Sequence, residues 1–313
     1  MSMKQLCYCI FIILACFSCG NPGNPDQKQP ATSGKEANPG AKTTEKEVFK
    51  APADTVKRNG VVYDLTATQV TKLSKLLPKK TVNRITAYMN DLASVKTDKD
   101  FARVYHNGKQ LFEAIENNLY TKFPDDAYRA MESMRFIDKS FALRSSCEAE
   151  CSEFIMVYSL VDLQKLAAYT KGKADDVFVK LKMMAEGETA RHDPSWLNFF
   201  ERTWDYGGGS LLGDGNNAQF LEESFQAIQQ SDLFKKDLIQ LRVRVIEDMQ
   251  HRIYMYPKAV VMAELDKILK GKFLAYDEAQ EILDLRQRIE RDKEDPPLQF
   301  NCSDPEQKCD WGG

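Results

Sequence analysis

Between Glu186 and Asn217 the chain gathers groups able to do chemistry: Glu186, Glu188, His192, Asp193, Trp196, Trp204, Asp205 and Tyr206, followed by Gly207-Gly208-Gly209. Indole and phenol faces stack on sugar rings or peptide planes, and nearby carboxylates hydrogen-bond or move protons. In that chemistry Glu188 or Asp205 serves as acid and base, and Trp196, Trp204 and Tyr206 form the binding platform. A second reading of the same residues is structural. Trp196, Phe199, Phe200 and Trp204 recur at three- and four-residue spacing, which is how a helix presents one face to a core. The glycines from 206 to 217 then mark a loop without regular structure, where function also tends to sit.

Named motifs do not extend this list. Gly208-Gly209-Ser210-Leu211-Leu212 lacks the closing glycine of a nucleophile elbow, and no Walker loop or dinucleotide fingerprint is present. Asp214-Gly215-Asn216-Asn217 begins like a calcium loop, but Phe225 stands where the twelfth-position Glu belongs. Glu222-Glu223-Ser224 is similar to the Glu-Ser of lytic transglycosylases, without the Gly-Leu-Met-Gln-like element those enzymes carry downstream. His251 has Glu247 and Asp248 at helical spacing, whereas a ferritin-like metal site needs two such pairs plus further inward carboxylates. No cofactor and no metal are expected.

The cysteines bear on place rather than activity. Lys4, an apolar run from Leu6 to Phe17 and then Ser18-Cys19-Gly20 have the order of a secretory signal. The run is too short to cross a bilayer core comfortably, which takes about 20 apolar residues. A cysteine directly after a small residue resembles the lipobox of bacterial lipoproteins, in which that cysteine becomes the acylated N-terminus. The resemblance covers the first twenty or so residues and describes an export class. Cys16, in Ile13-Leu14-Ala15-Cys16, has the more usual lipobox spelling, while Cys19 lies where polar sequence begins. Acylation at Cys19 also leaves an even set of four cysteines: Cys147, Cys151, Cys302 and Cys309.

Outside the cytoplasm those four are expected to form two disulfides. With Ser145-x-x-Glu148 read as a capping box, Cys147 and Cys151 lie one helical turn apart, with Cβ atoms about 5–6 Å apart. A disulfide wants about 3.5–4.5 Å. That spacing favours cross-pairing to Cys302 and Cys309; two local bonds and a four-thiolate zinc site are the other arrangements.

The elements that must position these groups are helical. Hydrophobic residues make up 43% of the chain and charged residues 28%, with a formal net charge of −3. Basic and acidic residues alternate along helical faces instead of forming a stripe, which argues against a nucleic-acid partner. Residues 1–18 read as the signal peptide and 19–58 as a lipidated cysteine and Pro/Gly-rich disordered tether. As a flexible chain, the roughly 36 residues from Cys19 to about Thr55 reach roughly 30–35 Å.

Apolar spacing then predicts an all-α fold of about ten helices. One helical subdomain covers 59–205 and another 218–295, joined by the Gly-rich loop 206–217, with a disulfide-stapled tail at 296–313. The helices include one opened at Asp64 or Thr66, one from Thr81, one from Asp98 or Asp100, and one from about 125 to 141. An apolar helix through Phe154, Tyr158, Val161 and Leu166 follows the capping box, and another starts at Asp175. Beyond the glycines come helices over 219–230, 231–254, 257–270 and 277–293. Only Val61-Val62-Tyr63 hints at a strand.

Two functions fit. One is a lipid-anchored binding or scaffolding module of the bacterial cell envelope, periplasmic or surface-exposed. It is tied to the bilayer through acylated Cys19 and partnered by an envelope protein or glycan. The other is an envelope enzyme acting on glycan or peptide through carboxylates near Glu186–Asp205.

Overall fold

The computed structural model describes residues 57–58, 61–62, 65–138, 142–148, 153–187, 197–202, 208–291 and 297–300. The fold is mostly helical, as the periodicity predicts: ten α-helices and one 3-10 turn are present among the described residues, with small sheets beside them. All these elements belong to one compact unit within 50–313.

Strands β1 (Lys57–Arg58) and β2 (Val61–Val62) pair antiparallel. Helix α1 (Ala67–Leu76) opens on Thr66, whose hydroxyl accepts from the Gln69 amide while Gln69 reaches back to the Thr66 amide. This capping box satisfies two orphan donors at once. Pro78 precedes α2 (Lys79–Ser94), and Thr97 with Asp100 forms a second capping box for α3 (Asp98–Lys122). Helix α4 (Ala127–Met134) is capped by Asp126 and runs into a 3-10 turn at Arg135–Ile137, so it stops short of residue 141.

The apolar segment after Ser145 is not a helix. Strands β3 (Leu143–Glu148) and β4 (Glu153–Tyr158) form an antiparallel hairpin, with Cys147 opposite Phe154. Phe154, Met156 and Tyr158 are buried on alternate positions, the period of a strand. Phe154, Tyr158 and Val161 also fit a helical spacing, and that ambiguity is what misleads the sequence reading. Ser145 is engaged elsewhere: its amide and hydroxyl both donate to Asp138 Oδ1, at 2.8 and 3.0 Å. Helix α3 serves the β4 backbone, with Glu116 accepting from the Met156 amide at 2.7 Å and Tyr120 donating to the Phe154 carbonyl at 2.7 Å. The one-turn geometry invoked for Cys147 and Cys151 therefore does not apply, and the case it made against a local bond lapses. Cys151, Cys302 and Cys309 lie outside the described residues.

Helices α5 (Leu160–Ala167) and α6 (Ala174–Glu186) follow, the latter ending at Gly187. Phe200–Arg202 is strand β5, not part of a helical aromatic face, and it pairs antiparallel with β6 (Gly208–Ser210). The glycine run thus contains a buried strand where a loop without regular structure is expected. A Cβ on Gly209 would come within 2.8 Å of the Met255 sulfur and 3.0 Å of Ile253 Cγ2, so the adjoining strand packs against bare backbone.

After α7 (Asn216–Gln230) and α8 (Lys235–Met249), strand β7 (Ile253–Tyr254) breaks what the sequence suggests is one helix to residue 254. It lies parallel to β6 and to β8 (Gln299–Phe300), while α9 (Lys258–Lys270) and α10 (Tyr276–Arg291) stand between β7 and β8 in the chain. Buried Glu264 of α9 accepts from the amides of Gly213, Gly215 and Ala218 and so fastens the loop that leads into α7. Buried Arg242 of α8 binds Glu278 through two nitrogens, at 2.8 and 2.6 Å. It also donates to Ser224 Oγ and the Phe273 carbonyl, each at 2.8 Å.

Candidate functional site

Helices α3, α6 and α8 meet over an aromatic floor. Phe178 and Phe234 stack at 4.2 Å, and Tyr105 meets Phe178 edge-on at 5.0 Å. Tyr105 of this cluster also lines a cavity of about 450 Å³, together with charged groups from all three helices and exposed aliphatic side chains of α8. That volume falls in the range of small-ligand pockets, roughly 300–1,000 Å³.

Two carboxylates are set into the cavity, and each is held by cations. Asp237, in the first turn of α8, is almost fully covered. It accepts from Lys109 Nζ and, at 2.9 Å, from His106 Nε2, both one turn apart on α3. Burial pushes this carboxyl up, yet hydrogen bonds from Lys109 and His106 outweigh it and hold the group below the usual aspartate value. Glu186, at the end of α6, pairs with Lys182 at 2.6 Å and lies 3.7 Å from the Arg244 guanidinium.

Tyr105 lines the same cavity. Burial, and then the charges of Asp237 and Glu186, raise its phenol well above the ordinary tyrosine value, so it stays protonated and able to donate. Lys109 Nζ sits 5.1 Å from the centre of the Tyr105 ring. At the lip, Ile239 and Val243 are 44% and 47% exposed, one turn apart on α8.

Of the residues singled out in the sequence that are among the described ones, Glu186 alone is brought to this cavity. Glu188, Trp196, Trp204, Asp205 and Tyr206 lie outside the described residues, as do Cys16 and Cys19. His106, Lys109, Lys182, Asp237 and Arg244 were not anticipated. A signal existed: Ile239 and Val243 fall off the apolar stripe Phe234, Leu238, Leu241, Val245 and Met249, and aliphatic groups off a stripe are candidates for contact with something else.

A second pair of titratable groups lies at the end of α8. Burial raises the Asp248 carboxyl to about 6 and lowers the His251 imidazole. Phe200 of β5 meets the His251 ring edge-on at 4.6 Å. Among the described residues, no group of three His, Cys, Asp or Glu side chains is placed to hold a metal ion, and no helix is long and apolar enough to cross a membrane.

No protein-family model, curated protein or solved structure matches the chain.

Proposed function

We propose that the chain is a lipid-anchored, α-helical binding module of the bacterial cell envelope, held to a membrane through acylated Cys19. The observation that carries the binding half is the state of the cavity's carboxylates. General acid–base work near neutrality favours a carboxyl with a raised pKa, but Asp237 is held ionised by Lys109 and His106. Glu186 is likewise paired, to Lys182. A cavity whose carboxylates are paired and whose lip carries exposed aliphatic groups suits reversible capture better than proton transfer.

The anchoring half rests on the signal-like residues 4–20 and the cysteine at 19. Growth with a labelled fatty acid tests it: Cys19→Ser abolishes label on the protein and Cys16→Ser leaves it. Pull-down from envelope extract tests the binding half. Glu188→Gln and Asp205→Asn are expected to retain the captured partner.

The enzyme reading keeps one favourable observation, a carboxyl raised by burial to about 6 in Asp248. Release of a glycan or peptide product that disappears in Asp248→Asn, Glu188→Gln or Asp205→Asn would replace the binding reading with that one.

A further inference from the structure

We infer that the cavity between α3, α6 and α8 takes a small amphiphilic carboxylate: one anionic head among Lys109, Lys182 and Tyr105, and an apolar body along Ile239 and Val243. The inference rests on the binding reading above and names its ligand class.

The charge balance sets the sign of the head. Lys109, Lys182 and Arg244 face Asp237 and Glu186, so the lining carries three formal positive charges against two negative ones. The protein's own carboxylate reports the local field. A covered carboxyl ordinarily shifts up, and Asp237 shifts down, so Lys109 and His106 together more than compensate its burial. An added anion there meets Lys109 too, and the three cations of the described lining exceed its two carboxylates by one charge.

Donors are available to receive it. An ammonium has three N–H groups, and Lys109 and Lys182 each direct one at an internal carboxylate, Asp237 and Glu186 respectively. Lys182 and Glu186 have side chains only 13% and 12% exposed, which limits screening by salt. Tyr105 adds a phenol kept in its donor form by burial. A cationic head would meet no unpaired carboxylate in this lining, and a neutral head would forgo charge-assisted hydrogen bonds, which are about twice as strong as neutral ones.

The apolar body follows from the lip. Ile239 and Val243 occupy adjacent turns on one side of α8, each nearly half exposed and each lining the cavity. An aliphatic chain laid from the head toward solvent covers both, and removing their apolar surface from water favours binding.

Calorimetric titration of the full-length protein with octanoate, octan-1-ol and octylamine tests the assignment. Octanoate is expected to bind about tenfold more tightly than either neutral or cationic analogue, the difference one charge-assisted contact supplies. Val243→Asp places a negative charge at an exposed lip position without disturbing the core; it should weaken octanoate about tenfold and leave thermal unfolding in place. Lys182→Met should weaken it similarly. Octanol binding as well as octanoate, no octanoate binding, or an unchanged affinity in Val243→Asp would each overturn the inference. Envelope capture that persists while octanoate fails would sink this ligand class alone; octanoate binding without any retained envelope partner would sink only the protein- or glycan-capture role.

Discussion

His106 Nε2 lies 2.9 Å from Asp237 Oδ2, across 131 positions of sequence. With Lys109 on the same carboxylate, this contact ties the middle of α3 to the first turn of α8 and shapes one wall of the cavity. An acid in the first turn is also well placed against the helix dipole. Removing its charge should therefore cost stability as well as change the cavity. Asp237→Asn is expected to lose about 1.5–3 kcal/mol at pH 7, the range for hydrogen bonds to charged groups. The sign of the pH dependence follows from a depressed folded-state pKa. The Asp237 contribution is fully present above the unfolded value and disappears as pH falls through the lower folded value. Chemical denaturation of both proteins from pH 7 to pH 2 should show the gap closing below about pH 4.

Asp248 should behave in the opposite sense. Its carboxyl is raised by burial to about 6, so the folded state holds a proton that the unfolded chain releases near pH 4. Between those values folding binds protons, and stability falls as pH rises. A shift of about two units corresponds to roughly 2–3 kcal/mol. Asp248→Asn is expected to be more stable than the parent at pH 7 by up to that amount and to lose the slope between pH 4 and 6. A parent whose stability rises across that interval, with the variant less stable at pH 7, would contradict the assignment.

Much of the helical framework is legible in the sequence because its signals are local. Thr66-x-x-Gln69, Pro78, Gly187 and the stripe from Leu238 to Met249 mark ends and faces that the structure reproduces. The hairpin at Leu143–Tyr158 is not legible, since Phe154 and Tyr158 satisfy both a four-residue and a two-residue period. Deciding between them takes α3, which supplies Glu116 and Tyr120 to the β4 backbone from about 35 to 40 residues away. Gly208–Ser210 escapes for a similar reason: glycines signal a turn until a neighbouring strand needs their bare backbone. The cavity was only grazed. Acidic and aromatic density pointed to Glu186, but His106, Lys109 and Asp237 become neighbours only when α3 meets α8.

Gly108 gives that packing a direct test. In the middle of α3, a Cβ at this position would lie 2.2 Å from the Tyr158 hydroxyl, which donates to the Tyr105 carbonyl. Alanine favours a helix over glycine by about 1 kcal/mol, yet Gly108→Ala is expected to destabilise by about 1–3 kcal/mol through overpacking. Combining it with Tyr158→Phe, which removes the clashing oxygen, should recover part of the loss. A double-mutant cycle in urea isolates that coupling, and strict additivity would contradict the contact.

Arg242 tests whether the α7–α8–α10 end of the fold is held by one buried ion. Its side chain is 2% exposed and Glu278 beside it 16%. Burial raises the Glu278 carboxyl, but hydrogen bonds from Arg242 and the Ala275 amide, with the Arg242 charge, together keep it below the ordinary glutamate value. Arg242→Met leaves that carboxylate without its cation and takes a donor from the Ser224 hydroxyl and the Phe273 carbonyl, and a broken buried pair of this kind costs about 3–5 kcal/mol. The variant is expected to lose that much in denaturant unfolding. Replacing both partners, Arg242→Met with Glu278→Leu, should cost less than Arg242→Met alone, because the stranded charge is then gone. A double variant as unstable as the single one would mean that Arg242 stabilises chiefly through Ser224 and Phe273, and that Glu278 is incidental.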